Sequence, residues 1–364
     1  MKNTSIWLTV VSLILSIVIG LTLSRGHGDA KDKSHKNIVI GLSLDTLKEA
    51  RWQVDQRYFV ERAKELGATV KVSSANSDDT IQMRDVNSMI SNGVDVIVIV
   101  PHDGAAMSKA VRAAHAANIP VIAYDRLITD SDLDLYVTFD NVKVGEAQAQ
   151  YVIDALHGKG KIVRIYGAPT DNNAKLFKQG QDNVLKPYID RGDIKVIHED
   201  WADNWEPQRA KQITNAAITN HGHDFQAILA SNDGTAGGAI QALKEEGLAG
   251  KILVTGQDAE LAAVQRIVEG TQAMTIYKPI HTLASTAAEL AVKMATGKPI
   301  VATHELNNGK VMVPSVFLPV ITVTKDNMLQ TVVADGFHSF DEVYRNIPPD
   351  QRPRYNENSS SSSH

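Results

Sequence analysis

Short runs of consecutive apolar residues alternate along the chain with longer segments whose apolar residues recur at helical spacing. The short runs are rich in Val and Ile and lack polar alternation, which is typical of strands covered on both faces in a parallel sheet. The first strands predicted are Ile38–Leu42, Thr69–Val72, Val94–Val100 and Val121–Tyr124. The helices predicted between them are Trp52–Leu66, Thr80–Ile90 and Ala105–Ala117.

The same alternation is repeated in the rest of the chain. The strands predicted there are Lys161–Ile165, Lys195–His198, Ala227–Ala230, Ile252–Thr255 and Ala273–Ile276, with further strand-like pieces over Val311–Val323. The helices predicted there are Ala174–Leu185, Pro207–Thr219, Gly237–Glu246, Glu260–Val268 and Ile280–Ala295. Two successive series of this kind predict an α/β protein with two doubly wound parallel-sheet lobes.

We expect the chain to cross between the lobes near residues 140–141, 277–279 and 318–321. Several crossovers form a hinge, and two hinged lobes can close on a ligand. The predicted division has a hydrophobic signal or membrane anchor plus linker at 1–36 and a disordered, serine-rich tail at 346–364. Between them, the N-terminal lobe takes 37–140 and 279–318, and the C-terminal lobe takes 141–278 and 319–345.

The predominantly apolar segment Ile6–Leu23 has 18 residues. It is longer than the ~7–15 residues of a usual signal-peptide core and approaches the ~20 residues that span a bilayer. Gly28-Asp29-Ala30 offers a small-x-small cleavage site, so a cleaved export signal and a retained anchor both remain open. Both predict an extracytoplasmic body, in the periplasm or on the outer face of the cytoplasmic membrane.

The composition excludes or disfavours several classes of function. The net charge of -5 disfavours a nucleic-acid partner, which normally requires a basic face. Cysteine is absent, which excludes disulfides, thiolate chemistry and a lipid on an N-terminal cysteine. We expect neither a metal nor a cofactor, because Asp130–Asp134 lacks the rest of a calcium loop and His221 and His223 are typical of a surface loop.

Several predicted strands end in polar groups that suit a polyol, and the carboxyl ends of strands in open α/β sheets face the ligand crevice. A sugar presents hydroxyl groups, which Arg, Asp and Asn can bind, and an apolar C–H face, which an indole can cover. We therefore expect one polar pocket. The runs concerned are Arg51-Trp52, Asp125-Arg126, Asp171-Asn172-Asn173, Ser231-Asn232-Asp233 and Gly256-Gln257-Asp258, together with Trp205.

In order and spacing, short runs over residues 37–338 closely resemble the D-xylose-binding proteins. These are members of the ribose/galactose group of bacterial extracytoplasmic sugar receptors, the type I periplasmic binding proteins. The runs that carry the resemblance are Ala50–Gln53, Ala123–Arg126, Phe139–Asn141, Asp171–Phe177, Ala230–Asp233, Gly256–Ala259, Thr275–Pro279 and Asp335–His338.

The resemblance implies a receptor, not an enzyme, that closes its two lobes on D-xylose or a similar monosaccharide. The residues that would hydrogen-bond the sugar are Arg51, Asp125, Arg126, Asp171, Asn173, Asn232, Asp258 and Lys278. Trp52 and Trp205 would stack on the ring faces. The implied partner is the permease of an ABC importer or, for a membrane-tethered form, a sensor histidine kinase.

Alternatives remain at this point. The sugar could be ribose, arabinose or glucose, and Asp125, Asp171 and Asp258 could serve as acid and base in an enzyme acting on a sugar. Each polar residue before a helix could also be an N-cap. We favour the cap for Asp233 and the ligand for Asn232.

Overall fold

The computed structural model describes residues 37–355. The predicted signal or anchor segment, which includes Ile6–Leu23, and residues 356–364 of the predicted tail lie outside that range. Among the described residues, no helix combines the length and the apolar character needed to cross a bilayer.

Strands and helices alternate through most of the described range. The strands are β1 Ile38–Leu44, β2 Ala68–Ser74, β3 Val96–Ile99, β4 Val121–Tyr124, β5 Leu135–Phe139, β6 Gly160–Tyr166, β7 Ile194–Trp201, β8 Ala227–Ala230, β9 Leu253–Val254, β10 Thr275–Tyr277, β11 His304–Asn307, β12 Met312–Leu318 and β13 Ile321–Val323. The α-helices are α1 Ala50–Glu65, α2 Asp79–Ser91, α3 Ser108–Ala116, α4 Asn141–Ala155, α5 Asn172–Asp190, α6 Pro207–His221, α7 Asp233–Glu245, α8 Leu261–Glu269, α9 Ile280–Ala295 and α10 Phe340–Val343.

Two main sheets organise these elements. A seven-stranded sheet in the order β11-β12-β5-β4-β3-β1-β2 is parallel except for its edge strand β11. We call this sheet and its helices the N-terminal lobe. A four-stranded parallel sheet in the order β7-β6-β8-β9 forms the C-terminal lobe with its helices. The predicted α/β class with doubly wound parallel sheets is confirmed.

Helices cover both faces of each main sheet. On the N-terminal lobe, Val96 and Val98 of β3 pack towards α1 and α9, whereas Ile97 and Ile99 pack towards α2 and α3. On the C-terminal lobe, α4 and α5 cover one face and α6 and α7 cover the other. Both faces of the central strands are buried, which explains why their sequences show no polar alternation.

The chain passes between the lobes at three places. β5 ends at Phe139 and α4 begins at Asn141, on the other lobe. The two other passages join β10 to α9 and β12 to β13, and β10 pairs antiparallel with β13 beside the hinge. The crossovers were predicted near residues 140–141, 277–279 and 318–321.

Four elements were missed by the sequence pattern: β5, α4, β11 and the short helix α10. Helix α4 contains Gly145, which weakens the helical signal. The structure explains this residue, because a Cβ added at Gly145 would lie 2.0 Å from the carbonyl oxygen of Phe177 in α5. The glycine therefore allows α4 and α5 to pack closely.

Residues 346–355, assigned above to the tail, contact the C-terminal lobe. The ring of Tyr355 stacks on Phe340 of α10 with centroids 5.0 Å apart. Arg352 Nη1 lies 3.6 Å from Asp341 Oδ1 of the same helix. These side chains hold a segment whose proline and polar content suggested disorder.

Candidate functional site

A cavity with an empty volume of about 330 Å³ lies between the two lobes. The residues that line it are Glu49, Arg51, Trp52, Asp125, Arg126, Asp171, Asn173, Phe177, Trp205, Asn232, Gln257, Asp258 and Lys278. The structure thus brings together all ten predicted site residues, and adds Glu49, Phe177 and Gln257.

Local backbone geometry directs several of these side chains into the cavity. Asp125 directly follows β4 with a φ of 60°, and Asp258 lies before α8 with a φ of 97°. Left-handed backbone at residues other than glycine costs of order 1–3 kcal/mol and clusters at functional sites. Backbone hydrogen bonds hold both residues, from Asp125 N to Val137 O and from Asp258 N to Ile276 O, each at 2.8 Å.

Arg51 joins carboxylates of both lobes. Its Nη2 donates to Asp125 Oδ2 at 2.9 Å and its Nη1 donates to Asp258 Oδ1 at 3.1 Å. Lys278 Nζ lies 3.3 Å from the same Asp258 oxygen and 3.6 Å from Asp125 Oδ2. Burial alone would raise the pKa of Asp125, but the charges of Arg51 and Lys278 outweigh it and lower that pKa to about 2. Asp125 is therefore ionised at neutral pH.

Arg126 forms a second ionic centre. Its Nη1 donates to Asp45 Oδ2 at 2.7 Å, and its Nε lies 2.9 Å from Asp171 Oδ2. Asp45 Oδ1 lies 3.0 Å from Nδ1 of His102. Burial favours a high pKa for Asp45, but His102 and Arg126 outweigh it and lower the pKa; at Asp171 burial prevails over Arg126 and raises the pKa.

Two indoles face the cavity from opposite lobes. The guanidinium carbon of Arg51 lies 4.1 Å from the ring centroid of Trp52, and that of Arg126 lies 5.1 Å from it. Trp205 Nε1 donates to Asp171 Oδ2 at 3.1 Å. The ring of Trp205 lies directly against Gly167, where an added Cβ would come within 2.0 Å of Cη2. Both rings are therefore held in fixed orientations.

Two predicted ligands are also helix caps. Asn232 is the N-cap of α7, where its Oδ1 accepts from Thr235 N at 2.9 Å. Asp171 is the N-cap of α5, where its Oδ1 accepts from Asn173 N at 2.9 Å. Capping and cavity lining are thus compatible, because each side chain uses one oxygen for the cap and keeps its other polar atom for the cavity.

The cap predicted for Asp233 is wrong. Asp233 is the first residue of α7, after the cap, and is fully buried. Its Oδ1 accepts from Gln272 Nε2 at 2.8 Å and its Oδ2 accepts from Thr275 Oγ1 at 2.9 Å. The carboxylate therefore ties α7 to the segment that leads into the hinge strand β10.

Asn173 links the lobes at the base of the cavity. Its Nδ2 donates to the carbonyl oxygen and to Oδ1 of Asp125, at 3.0 and 3.1 Å. A fourth contact between the lobes lies at the exposed rim, where Lys48 Nζ is 2.5 Å from Glu206 Oε1. Together with the contacts of Arg51 and Arg126, these bonds define a closed arrangement.

The three cavity residues that were not predicted differ in how far the sequence could have indicated them. Phe177 lies one helical turn after Asn173 in α5 and could have been placed by its spacing. Gln257 is next to Asp258, and its buried Oε1 accepts no hydrogen bond within the described range. Glu49 has an equally unpartnered buried atom, Oε2. Nothing in the sequence around Glu49 marked it.

Metal ligands do not cluster in residues 37–355: no group of three His, Asp or Glu side chains there could hold an ion. His223, considered above as a metal ligand, lies on the surface with its Nε2 3.4 Å from Glu246 Oε2.

Comparison with known proteins shows the family of this chain. The model of the periplasmic binding protein domain matches residues 40–299. The D-xylose-binding periplasmic proteins of Escherichia coli (strain K12) and Haemophilus influenzae are 46% and 47% identical to this chain, over 92% of it and 99% of each relative. A carbohydrate transporter solute binding protein from Chloroflexus aurantiacus, solved with D-glucose, is 35% identical with a TM-score of 0.79, covering 84% of this chain and 98% of that one.

Proposed function

This chain belongs to the periplasmic binding protein family, and from that premise we propose that it is an extracytoplasmic receptor that binds D-xylose and presents it to an ABC importer. The observation that carries the proposal is the convergence of ten polar and aromatic side chains from both lobes on one cavity. The high identity to two D-xylose-binding proteins supports the choice of sugar.

The cavity suits a neutral polyol. Arg51, Arg126 and Lys278 supply donors, and the carboxylates that they hold supply acceptors. A buried hydroxyl without a partner costs ~1–3 kcal/mol, so a sugar whose hydroxyls match these groups is favoured over its epimers. Trp52 and Trp205 then cover the two faces of the sugar ring.

The mechanism is a shift in population between open and closed forms. A sugar that contacts both lobes binds the closed form better and therefore favours it. The bodies that move are residues 37–140 with 279–318 and residues 141–278 with 319–345. The closed surface is what the membrane partner recognises.

Binding occurs without catalysis in this proposal. A general acid must be protonated near the working pH, whereas the pKa of Asp125 is lowered to about 2, after burial is outweighed by Arg51 and Lys278. Asp258 is paired with Lys278. The pKa of Asp171 is raised by burial, but its Oδ2 is already bound by Arg126 and Trp205. NMR of D-xylose and a xyloside incubated with the purified protein should show both unchanged, and any turnover would contradict this part.

Isothermal titration calorimetry of the intact chain tests the binding function. The panel is D-xylose, D-ribose, L-arabinose and D-glucose. We expect D-xylose to bind most tightly, with a micromolar Kd, about -8 kcal/mol. Absence of heat with every sugar would refute the receptor function, whereas tighter binding of another sugar would refute only the choice of D-xylose.

A tethered receptor that signals to a sensor histidine kinase is the second candidate. The length of Ile6–Leu23, 18 residues, favours it over a short cleavable signal. Fractionation of cells that express the intact chain separates the two roles. Recovery in the membrane fraction supports the tether, and recovery of a shortened chain in the soluble export fraction rules it out.

A further inference from the structure

Glu49 occupies the turn between β1 and α1, immediately before the first helical residue. It holds the N-cap position, but its side chain makes no capping hydrogen bond. Ser, Thr, Asp and Asn are the residues that cap helices well, and a glutamate is not among them. The helix start therefore gains a favourable negative charge from Glu49, but no capping bond that would explain where its side chain lies.

The side chain of Glu49 instead lines the cavity. Its Oε2 is buried and accepts no hydrogen bond from residues 37–355. A buried acceptor without a donor is unfavourable, and more so when it is charged. A donor supplied by a bound molecule would remove that cost.

The other carboxylates of the cavity differ in this respect. Asp125 and Asp258 are bound by Arg51, and Asp171 is bound by both Arg126 and Trp205. Glu49 has no such cation in hydrogen-bonding contact within the described residues, although its charge acts on Arg126 at longer range. Glu49 is thus a cavity carboxylate that no cation holds, and its buried oxygen is left for a hydroxyl.

We propose that Glu49 is a specificity-determining residue that accepts a hydrogen bond from one hydroxyl of the bound sugar. The inference rests on the proposed sugar-binding function and extends it to a residue outside the predicted set. A hydroxyl donating to a carboxylate makes a charge-assisted bond, which is stronger than a bond between neutral groups.

The test compares the intact wild-type chain with Glu49→Ala and Glu49→Gln by calorimetry. Glu49→Ala should weaken D-xylose binding about 10- to 100-fold, the effect of losing one charge-assisted hydrogen bond. Glu49→Gln keeps a neutral acceptor and should lose less. Glu61→Ala is the matched control, because Glu61 is exposed on α1 away from the cavity and its loss should leave Kd unchanged.

A set of monodeoxy xyloses identifies the hydroxyl. For one analogue, wild type and Glu49→Ala should bind with the same Kd, because the hydroxyl that Glu49 accepts is missing. The melting temperature of sugar-free Glu49→Ala should stay close to that of wild type, since the variant loses a favourable charge at the helix start but also removes a buried oxygen that has no donor.

Two results would overturn the assignment: an unchanged Kd of Glu49→Ala for D-xylose, or an equal loss for every deoxy analogue together with a lower melting temperature. Failure of the wild type itself to bind any sugar would instead refute the receptor function.

Discussion

At the scale of single residues, Asn232 caps a helix with one atom of its amide and lines the cavity. Its Oδ1 caps α7 through Thr235 N, and its Nδ2 donates to no residue of 37–355. Asn232→Asp keeps the capping oxygen and removes the donor. We expect the melting temperature to stay within about 2 °C of wild type, because the cap is kept. The affinity for D-xylose should fall at least about tenfold, because one hydrogen bond to a buried ligand is lost.

Asn232→Ala is the companion variant. It removes the cap as well, which should cost about 1 kcal/mol of folding free energy in addition to the affinity loss. Thermal denaturation and calorimetry on both variants separate the roles. A large drop in stability for Asn232→Asp would show that the amide nitrogen has a structural partner instead.

The pair of His102 and Asp45 predicts a pH dependence. The hydrogen bond to Asp45 raises the pKa of His102 in the folded protein. The charged pair therefore stabilises the fold fully below ~6.5, the pKa of an unfolded histidine, and this contribution is lost as pH rises through the pKa of His102 in the folded state. The pKa of Asp45 is lowered against burial by His102 and Arg126, so its contribution is present above ~3.8 and is lost in acid.

Urea denaturation of wild type and His102→Gln at pH 5.5 and pH 8.5 measures this contribution. The free energy of unfolding of wild type minus that of the variant should be larger at pH 5.5 than at pH 8.5. The increase should be up to about 1 kcal/mol, the range for a partly screened ion pair. An equal difference at both pH values would show that Asp45 does not favour the protonated form of His102.

Sequence reasoning predicted ten residues of the cavity, missed three others, including Glu49, and misassigned Asp233. Arg126 and Asp258 could be placed because each follows a strand of its own parallel sheet, and the strand ends of such a sheet face the ligand crevice. The orphan oxygen of Glu49 depends on which donors surround it in three dimensions. The role of Asp233 was wrong for a related reason, since its partners Gln272 and Thr275 are about forty residues away in sequence.

At the scale of elements, the turn after β6 fixes the indole of Trp205. A Cβ added at Gly167 would lie 2.0–2.3 Å from three carbons of that ring. Gly167→Ala must therefore displace Trp205 and should weaken sugar binding at least about tenfold, with a stability loss of about 1–3 kcal/mol from overpacking. Calorimetry and the quenching of tryptophan fluorescence by sugar provide the measurement.

Gly234→Ala is the matched control for that substitution. Gly234 lies in the first turn of α7, and its added Cβ meets nothing closer than 3.6 Å. It should bind sugar like wild type. Equal affinities of both alanine variants would mean that the position of Trp205 does not matter for binding.

Elements with strong periodicity were predictable from sequence, and elements shaped by their neighbours were not. Helix α9 was predicted at its observed bounds because its apolar residues face one sheet throughout. Helix α4 escaped because Gly145 and several β-branched residues serve its contact with α5 at the expense of helical propensity. Strand β11 has a mostly exposed edge position and therefore lacks an apolar pattern.

At the scale of the whole molecule, the two lobes are joined through groups that also line the cavity. A ligand at 100 times its Kd should stabilise the native form by about 2.7 kcal/mol, which corresponds to a rise on the order of 5 °C in Tm for a body of this size. Scanning calorimetry with and without D-xylose checks this. Small-angle scattering on the same samples should show a smaller radius of gyration with sugar; no change in either quantity would contradict a closing receptor.

The ionic pairs of the cavity have one more consequence. Three cationic side chains, Arg51, Arg126 and Lys278, are each already paired with carboxylates. A sugar phosphate or a uronic acid would bring a charge for which no counterion is free, whereas an uncharged sugar disturbs none. Such a binding site gains little from long-range attraction, so its uptake of cargo should proceed alike in dilute and in saline surroundings.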